Sequence, residues 1–372
     1  MQQRGASKNK VLAELQKLRQ LDNHYEGGRI LCSMCTKPHP IAEKAYRMFF
    51  DSNLGDMGLF PGTVQVEKEV MAQLGELLNN PNATGFSVTG GTEANLMALL
   101  AARNKAKVEE PEVILPYSAH FSFNKICNML KIKPVYIPLD NAFRVNVSEV
   151  ESNINKNTVA IVGTAGTSEL GAIDPIEEIS ESAVENDVWL HVDAAFGGLI
   201  LPFLKEAPLF DFKLRGVTSI TVDPHKMGMA AIPTGGILFR DRTSTELIKT
   251  ETPYLTGKTQ FTFVGTRTGA AVASAWAVFH FLGREGFETV VKNCIKNTTT
   301  LTKGLKKIGF KVLCEPQLNI VAFQNNNTEK LAEILRRKGW FISYIPQYDC
   351  IRVVLMPHTK QKHVAAFLND LA

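Results

Sequence analysis

Ser219-Ile220-Thr221-Val222-Asp223-Pro224-His225-Lys226 begins as a β-branched run and ends as a polar corner that closes on one lysine. The run has the composition of a buried strand. A lysine at a strand end, taken alone, reads as a solvated end cap. The stretches upstream change that reading, because each of them also ends a strand.

From Thr84 to about residue 240 the chain alternates. Short β-rich runs fall at 85–89, 112–116, 134–138, 158–163, 188–193, 218–222 and 235–239, with helical stretches at 93–106, 120–131, 146–154 and 175–186 between most of them. Strands alternating with helices predict βαβ units and a mostly parallel sheet covered on both faces. Ligands of such sheets sit outside the carboxyl ends of the strands. A helical region follows at 264–308. The pattern then shifts to runs at 310–314, 319–323, 341–345 and 351–355 with helices at 328–338 and 360–371, a small α+β unit. We therefore expect an N-terminal arm with loops over residues 1–52, a large seven-stranded α/β domain over 53–284 and a small C-terminal domain over 285–372.

The arm has its own pattern. Val11, Leu12, Leu15, Leu18 and Leu21 recur near a 3.6-residue period behind a capping Ser7, which predicts an amphipathic helix over 7–22 that packs on its own domain or on a partner. A second helix is predicted near 41–52. Residues 53–63 hold four glycines or prolines and read as a loop, and a third helix is predicted over 64–79.

The 372 residues are 45% hydrophobic and 21% charged, with a net charge of +4 and the basic residues dispersed. This is globular composition without the basic block of a nucleic-acid binder. No apolar run reaches the ~20 residues of a membrane span. The polar start of the chain lacks a signal-peptide core, so the expectation is a cytoplasmic protein. Six cysteines are sparse. Cys32 and Cys35 form a CxxC without a second ligand pair, so neither a disulfide framework nor a metal site is expected.

Four strand ends carry chemistry. Thr89-Gly90-Gly91-Thr92 leads from a strand into the strong helix that starts at Glu93. Free backbone N–H groups at a helix start favour an anion, and the glycines let it approach. The turn is neither a dinucleotide fingerprint nor a Walker A loop, and a plain capped turn has the same pattern. His191-Val192-Asp193-Ala194-Ala195 sets an acid at a strand end beside small residues that leave room for a flat ring. A buried carboxylate needs a partner, and a pyridinium nitrogen is a suitable one. His120, in Ser118-Ala119-His120, suits stacking on a ring face or a plain capping role. The loop Thr164-Ala165-Gly166-Thr167-Ser168 adds hydroxyl donors.

In this order the signals resemble the fold-type I pyridoxal 5′-phosphate (PLP) enzymes, and more narrowly the group II amino-acid decarboxylases. The stretches SMCT, NLGD, GLFPGT, TGGTEANLMA, SAHFSF, HVDAAFGG, DPHKMG and GTR are very similar to those of the archaeal tyrosine/aspartate decarboxylases, and the likeness extends over nearly the whole chain. The resemblance implies PLP as cofactor, with Lys226 as the Schiff-base lysine. It implies that Gly90, Gly91, Thr92 and His225 hold the phosphate, that Asp193 pairs with the ring nitrogen, that His120 stacks on the ring, and that Thr167 and Ala195 line it. Thr266 would reach the cofactor region of the partner in a homodimer with shared sites. Arg352 would meet the substrate carboxylate, Ser33 and Asn53 would approach the substrate, and Tyr254 would be the mobile-loop residue that returns a proton. The implied products are tyramine, for methanofuran synthesis, or β-alanine, for coenzyme A; glutamate is a third substrate the sequence leaves open. The rival readings are another PLP lyase, a tRNA-dependent cysteine-forming transferase, which the missing basic patch disfavours, and a PLP-binding protein without catalysis.

Overall fold

The structure, a computed structural model, describes residues 1–371. Helices α1 (Lys8–Arg19), α2 (Pro40–Met48) and α3 (Pro61–Leu77) precede the sheet. The sheet region then runs β1 (Thr84–Val88), α4 (Gly91–Ala106), β2 (Glu112–Pro116), α5 (Ser122–Leu130), β3 (Lys133–Ile137), α6 (Val147–Asn153), β4 (Thr158–Thr164), α7 (Ile176–Glu185), β5 (Trp189–Asp193), β6 (Val217–Val222) and β7 (Gly235–Phe239). Every one of these strands lies within a residue of its expected limits.

The strand order is β1-β7-β6-β5-β4-β2-β3. The pairs from β6 to β3 are parallel, and β7 runs antiparallel between β1 and β6. Every residue of β4 and of β5 is buried. That is why β4 (TVAIVGT) is apolar along its length: a central parallel strand is covered on both faces. One face packs on α4, whose Ala, Leu and Met residues are buried around most of the helix. The other face carries the larger core, with Val70, Leu74, Ile161, Leu190, Ile220 and Val278.

Helix α3 starts three residues earlier than its periodicity predicts. Phe60 precedes the helix and Pro61 stands in its first turn, where a missing N–H costs nothing and the fixed φ suits the helix. Helix α1 has the expected Ser7 cap, whose Oγ accepts the Lys10 N–H at 3.4 Å. It buries none of its residues on the chain. Leu15, Leu18 and Leu21 are 56%, 61% and 79% exposed, so the apolar stripe does not pack on its own domain.

Beyond the sheet come α8 (Arg242–Glu246), the hairpin β8 (Thr250–Glu251) and β9 (Thr259–Gln260), and the long α9 (Gly269–Lys307). Helix α9 is broken at Gly283, whose φ is 55° and ψ −169°. The chain ends with β10 (Lys311–Val312), β11 (Ile320–Gln324), α10 (Thr328–Arg337), β12 (Ser343–Ile345), β13 (Cys350–Val354) and α11 (Gln361–Leu371). These four strands form a separate antiparallel sheet, ordered β10-β11-β13-β12, over a core that includes Phe323, Trp340, Ile351 and Phe367. Among the described residues no helix is long and apolar enough to cross a membrane.

Candidate active site

A cavity of about 280 Å3 opens at the carboxyl ends of the sheet strands. Gly90, Gly91, Thr92, His120, Asp193, Ala195, His225 and Lys226 all line it, together with Thr89, Asn95, Thr164, Gly166, Ser168, Phe196 and Asp223. Residues remote in sequence converge because each follows a neighbouring strand.

One end of the cavity is a backbone cradle. Gly90 has φ 151° and ψ 179°, a region only glycine occupies readily. A Cβ there would lie 3.1 Å from the His225 ring, and a Cβ on Gly235 would lie 2.5 Å from the Gly90 Cα. The backbones of the turn and of β7 meet with no room for side chains. Helix α4 begins at Gly91 with no side-chain cap, so its first N–H groups face the cavity. The His225 Nδ1 lies 2.6 Å from the Thr234 carbonyl oxygen and donates to it, which leaves Nε2 for the cavity.

At the centre, the Lys226 Nζ stands 3.2 Å from the Asp223 Oδ2. The other oxygen, Asp223 Oδ1, is buried without a partner, as is the Thr164 Oγ1. Buried polar atoms of this kind call for a ligand. Asp193 is buried; its Oδ1 accepts the Ala195 N–H at 3.1 Å and its Oδ2 accepts the Asn95 amide at 2.9 Å. His120 takes its orientation from Ser122, whose Oγ lies 2.9 Å from Nδ1. Burial lowers the His120 pKa, which favours a neutral ring.

A second, wider cavity of about 730 Å3 shares His120 and Ser168 with the first. Arg352, on β13, lines it and is 7% exposed. Its Nη1 donates to the Cys32 carbonyl at 2.8 Å, and its Nε has no partner. Burial draws its pKa down to about 10, which leaves it charged at neutral pH. Glu169 lines the same cavity, and burial raises its carboxyl pKa against the opposing pull of Arg352. Met34, Tyr117, Phe121, Tyr136 and Ile345 supply apolar wall.

The remaining predicted residues lie elsewhere. The Thr167 hydroxyl accepts the Ala172 N–H at 3.1 Å, and its neighbours Gly166 and Ser168 line the cavity instead. The Ser33 Oγ is engaged with the backbone of Cys35 at 3.0 Å, and the Asn53 Oδ1 accepts the Gly55 N–H at 2.9 Å. Thr266 packs against Gly55, and Tyr254 is 84% exposed in the loop between β8 and β9. Beside Thr266, the buried Arg267 pairs with Glu67 and donates to the Ser87 carbonyl at 2.7 Å. All six cysteines are free, and burial raises the Cys35 thiol.

Sequence reasoning overlooked Asn95, His191 and Asp223. The signal was present as alternation: Trp189, His191 and Asp193 share one face of β5, and Ser219, Thr221 and Asp223 share one face of the β6 run.

A lysine, an acid and a glycine turn on the strand ends of this sheet define a fold-type I PLP enzyme, and the cradle, the unpartnered polar atoms and Lys226 fit that cofactor. Residues 50–326 match the family model described as the pyridoxal-dependent decarboxylase conserved domain, and the chain belongs to that family. It is similar, at 52% identity over 93% of its length and 97% of the relative's, to a probable L-tyrosine/L-aspartate decarboxylase of Methanothermobacter thermautotrophicus. It is 49% identical, over 97% of its length and 98% of the relative's, to a probable L-aspartate decarboxylase of Archaeoglobus fulgidus. Among solved structures, the sphingosine-1-phosphate lyase of Burkholderia pseudomallei superposes with a TM-score of 0.93 at 29% identity, covering 100% of this chain and 91% of that one. Glutamate decarboxylase of Lactobacillus brevis, at 21% identity, shares the fold with a TM-score of 0.91 over 100% of this chain and 93% of that one. The chain is a PLP-dependent amino-acid decarboxylase.

Proposed function

We propose that the chain removes the α-carboxylate of L-tyrosine, L-aspartate or both, giving tyramine or β-alanine. The observation that carries this reading is Arg352: a buried guanidinium with an unpartnered Nε, in the wide cavity that shares His120 and Ser168 with the Lys226 cavity. A cation there holds a carboxylate, and the apolar wall beside it accepts a phenol ring as readily as a short side chain. The names of the archaeal relatives support the same pair of substrates.

PLP, when bound, takes the electrons of the broken bond into its ring. Lys226 supplies the amine that carries it. The N–H groups of Gly91 and Thr92 with His225 Nε2 hold its phosphate, and Asp193 holds the ring nitrogen. His120 would lie against the cofactor, and Arg352 would hold and orient the substrate's α-carboxylate. Tyr254 moves in to return a proton at the α-carbon and exclude water. The exposed stripe of α1 supports a homodimer, in which Thr266 would reach the partner's cofactor region, and the break at Gly283 supports the division at 284/285. Tyramine and β-alanine correspond to roles in methanofuran and coenzyme A synthesis.

The test is amine production by PLP-loaded protein with L-tyrosine, L-aspartate and L-glutamate side by side. Tyramine or β-alanine as dominant product is the expected result. No amine from any of them would overturn the reading.

A further inference from the structure

Behind Asp193 lies a line of hydrogen bonds that the reaction does not touch. All of it is buried: Asn95 is 1% exposed, Trp189 2%, and His191, Ser219 and Thr221 0%. The register of β5 and β6 sets His191 beside Ser219 and Asp193 beside Thr221. Helix α4 lays Asn95 across both pairs.

The donors and acceptors leave one arrangement. The Trp189 Nε1 can only donate, and it donates to the Ser219 Oγ at 2.8 Å. The Asn95 Nδ2 must face the Asp193 carboxylate, so the amide oxygen faces His191 Nε2 and takes its hydrogen; the neutral ring then accepts at Nδ1, and the Ser219 hydroxyl donates to it, also at 2.8 Å. The His191 Nε2 lies 3.0 Å from the Asn95 Oδ1. The Thr221 hydroxyl donates to the same oxygen at 2.8 Å. The Asn95 Nδ2 donates to the Asp193 Oδ2 at 2.9 Å. Burial draws the His191 pKa down to about 4, so the ring is neutral and the direction is set. Every step points at the carboxylate, and hydrogen bonds in such a chain polarise one another.

We propose that Trp189, Ser219, His191 and Asn95 form a one-way relay that fixes the rotation and charge of Asp193, with Asn95 and His191 as positioning residues for the cofactor's ring nitrogen. Ala195 N–H holds one carboxylate oxygen and Asn95 the other, so loss of the relay frees half of the acid's support. The inference rests on Asp193 facing that nitrogen.

The experiment uses holoenzyme loaded with ring-15N PLP and reads the ring-nitrogen resonance, the PLP dissociation constant, kcat and KM, with the melting temperature of the apoprotein as a check on folding. His191→Phe removes both ring contacts. His191→Gln keeps a donor at the Nε2 position. Asn95→Asp replaces the amide donor with a second acid against Asp193 at constant size. We expect His191→Phe and Asn95→Asp to move the 15N resonance, to weaken PLP binding and to lower kcat by about tenfold each with KM within about twofold, the worth of one hydrogen bond to a charged group. We expect His191→Gln to recover most of the loss. An unmoved resonance in His191→Phe and Asn95→Asp, when Asp193→Asn does move it, overturns the relay and leaves the role of Asp193 intact. An unmoved resonance in Asp193→Asn overturns that role, and the relay with it. A loss that tracks the melting temperature alone, with no recovery in His191→Gln, reduces the network to a structural one and overturns the proposal.

Discussion

Asp193 and Tyr254 are assigned to the same reaction but sit in opposite surroundings. Asp193 is 6% exposed, with both carboxylate oxygens held by groups of its own chain. Tyr254 is 84% exposed, between the two short strands β8 and β9. The contrast extends to their regions. The strand ends form a floor of buried, mutually bonded residues, whereas α1 and the Tyr254 loop form a rim of exposed apolar side chains. The floor is specified by a single chain. The rim leaves Leu15, Leu18 and Tyr254 exposed to solvent.

The sharpest break of that contrast is Lys226→Ala. Because the lysine belongs to the floor and is the residue proposed to supply the reacting amine, we expect amine formation to fall by at least about a thousandfold and the cofactor's bound absorbance to vanish. Near-native turnover in this variant would remove Lys226 from the chemistry. Next comes Arg267→Met, which strands the buried Glu67 carboxylate under the floor. It is expected to lower stability by about 3–5 kcal/mol, read as the melting temperature of the apoprotein. Tyr254→Phe tests the rim. Its expected effect is a kcat lowered about a hundredfold at unchanged melting temperature, the worth of a positioned proton donor. A Tyr254→Phe enzyme with full kcat would leave the proton to another group.

The smallest effect is a slope. Asp174 is buried, and although its two oxygens accept the Val145 and Thr164 N–H groups at 2.8 Å each, burial raises its pKa to about 6. The unfolded value is about 3.9, so the folded chain holds the extra proton between the two. Its contribution is full below about pH 3.9 and is lost as pH rises through about 6, on the order of 3 kcal/mol in all. Asp174→Asn should flatten that part of the stability profile in denaturant titrations from pH 4 to 7. An identical slope in both proteins would place the titration elsewhere.

The floor was also the legible part. Strand limits followed from β-branched runs, and a strand end locates its next residue in space almost without further information. That is why the glycine turn, His120, Asp193 and Lys226 converge as their positions imply. Asn95 was not legible in the same way. Its partners depend on how α4 crosses two strands, which no local pattern encodes. The start of α3 is hard to read because Pro61 and Gly62 have the composition of a loop, although a first turn tolerates proline. The direction of Thr167 depends on a tight loop in which adjacent residues face opposite ways. Nothing in the sequence of α1 says whether its stripe packs on its own domain, because the same periodicity serves either placement; in the structure the stripe is exposed.

The bare backbone where Gly90 meets Gly235 has an evolutionary consequence. There a Cβ on Gly235 collides with the Gly90 main chain and one on Gly90 crowds the His225 ring, so substitutions at these two glycines can break the cradle but cannot retune it. The wider neighbouring cavity is walled by side chains, among them Met34, Tyr117, Asn124 and Ser343, whose size and polarity can change one at a time. Descendants of this chain are therefore free to diversify in what they accept while remaining bound to one cofactor.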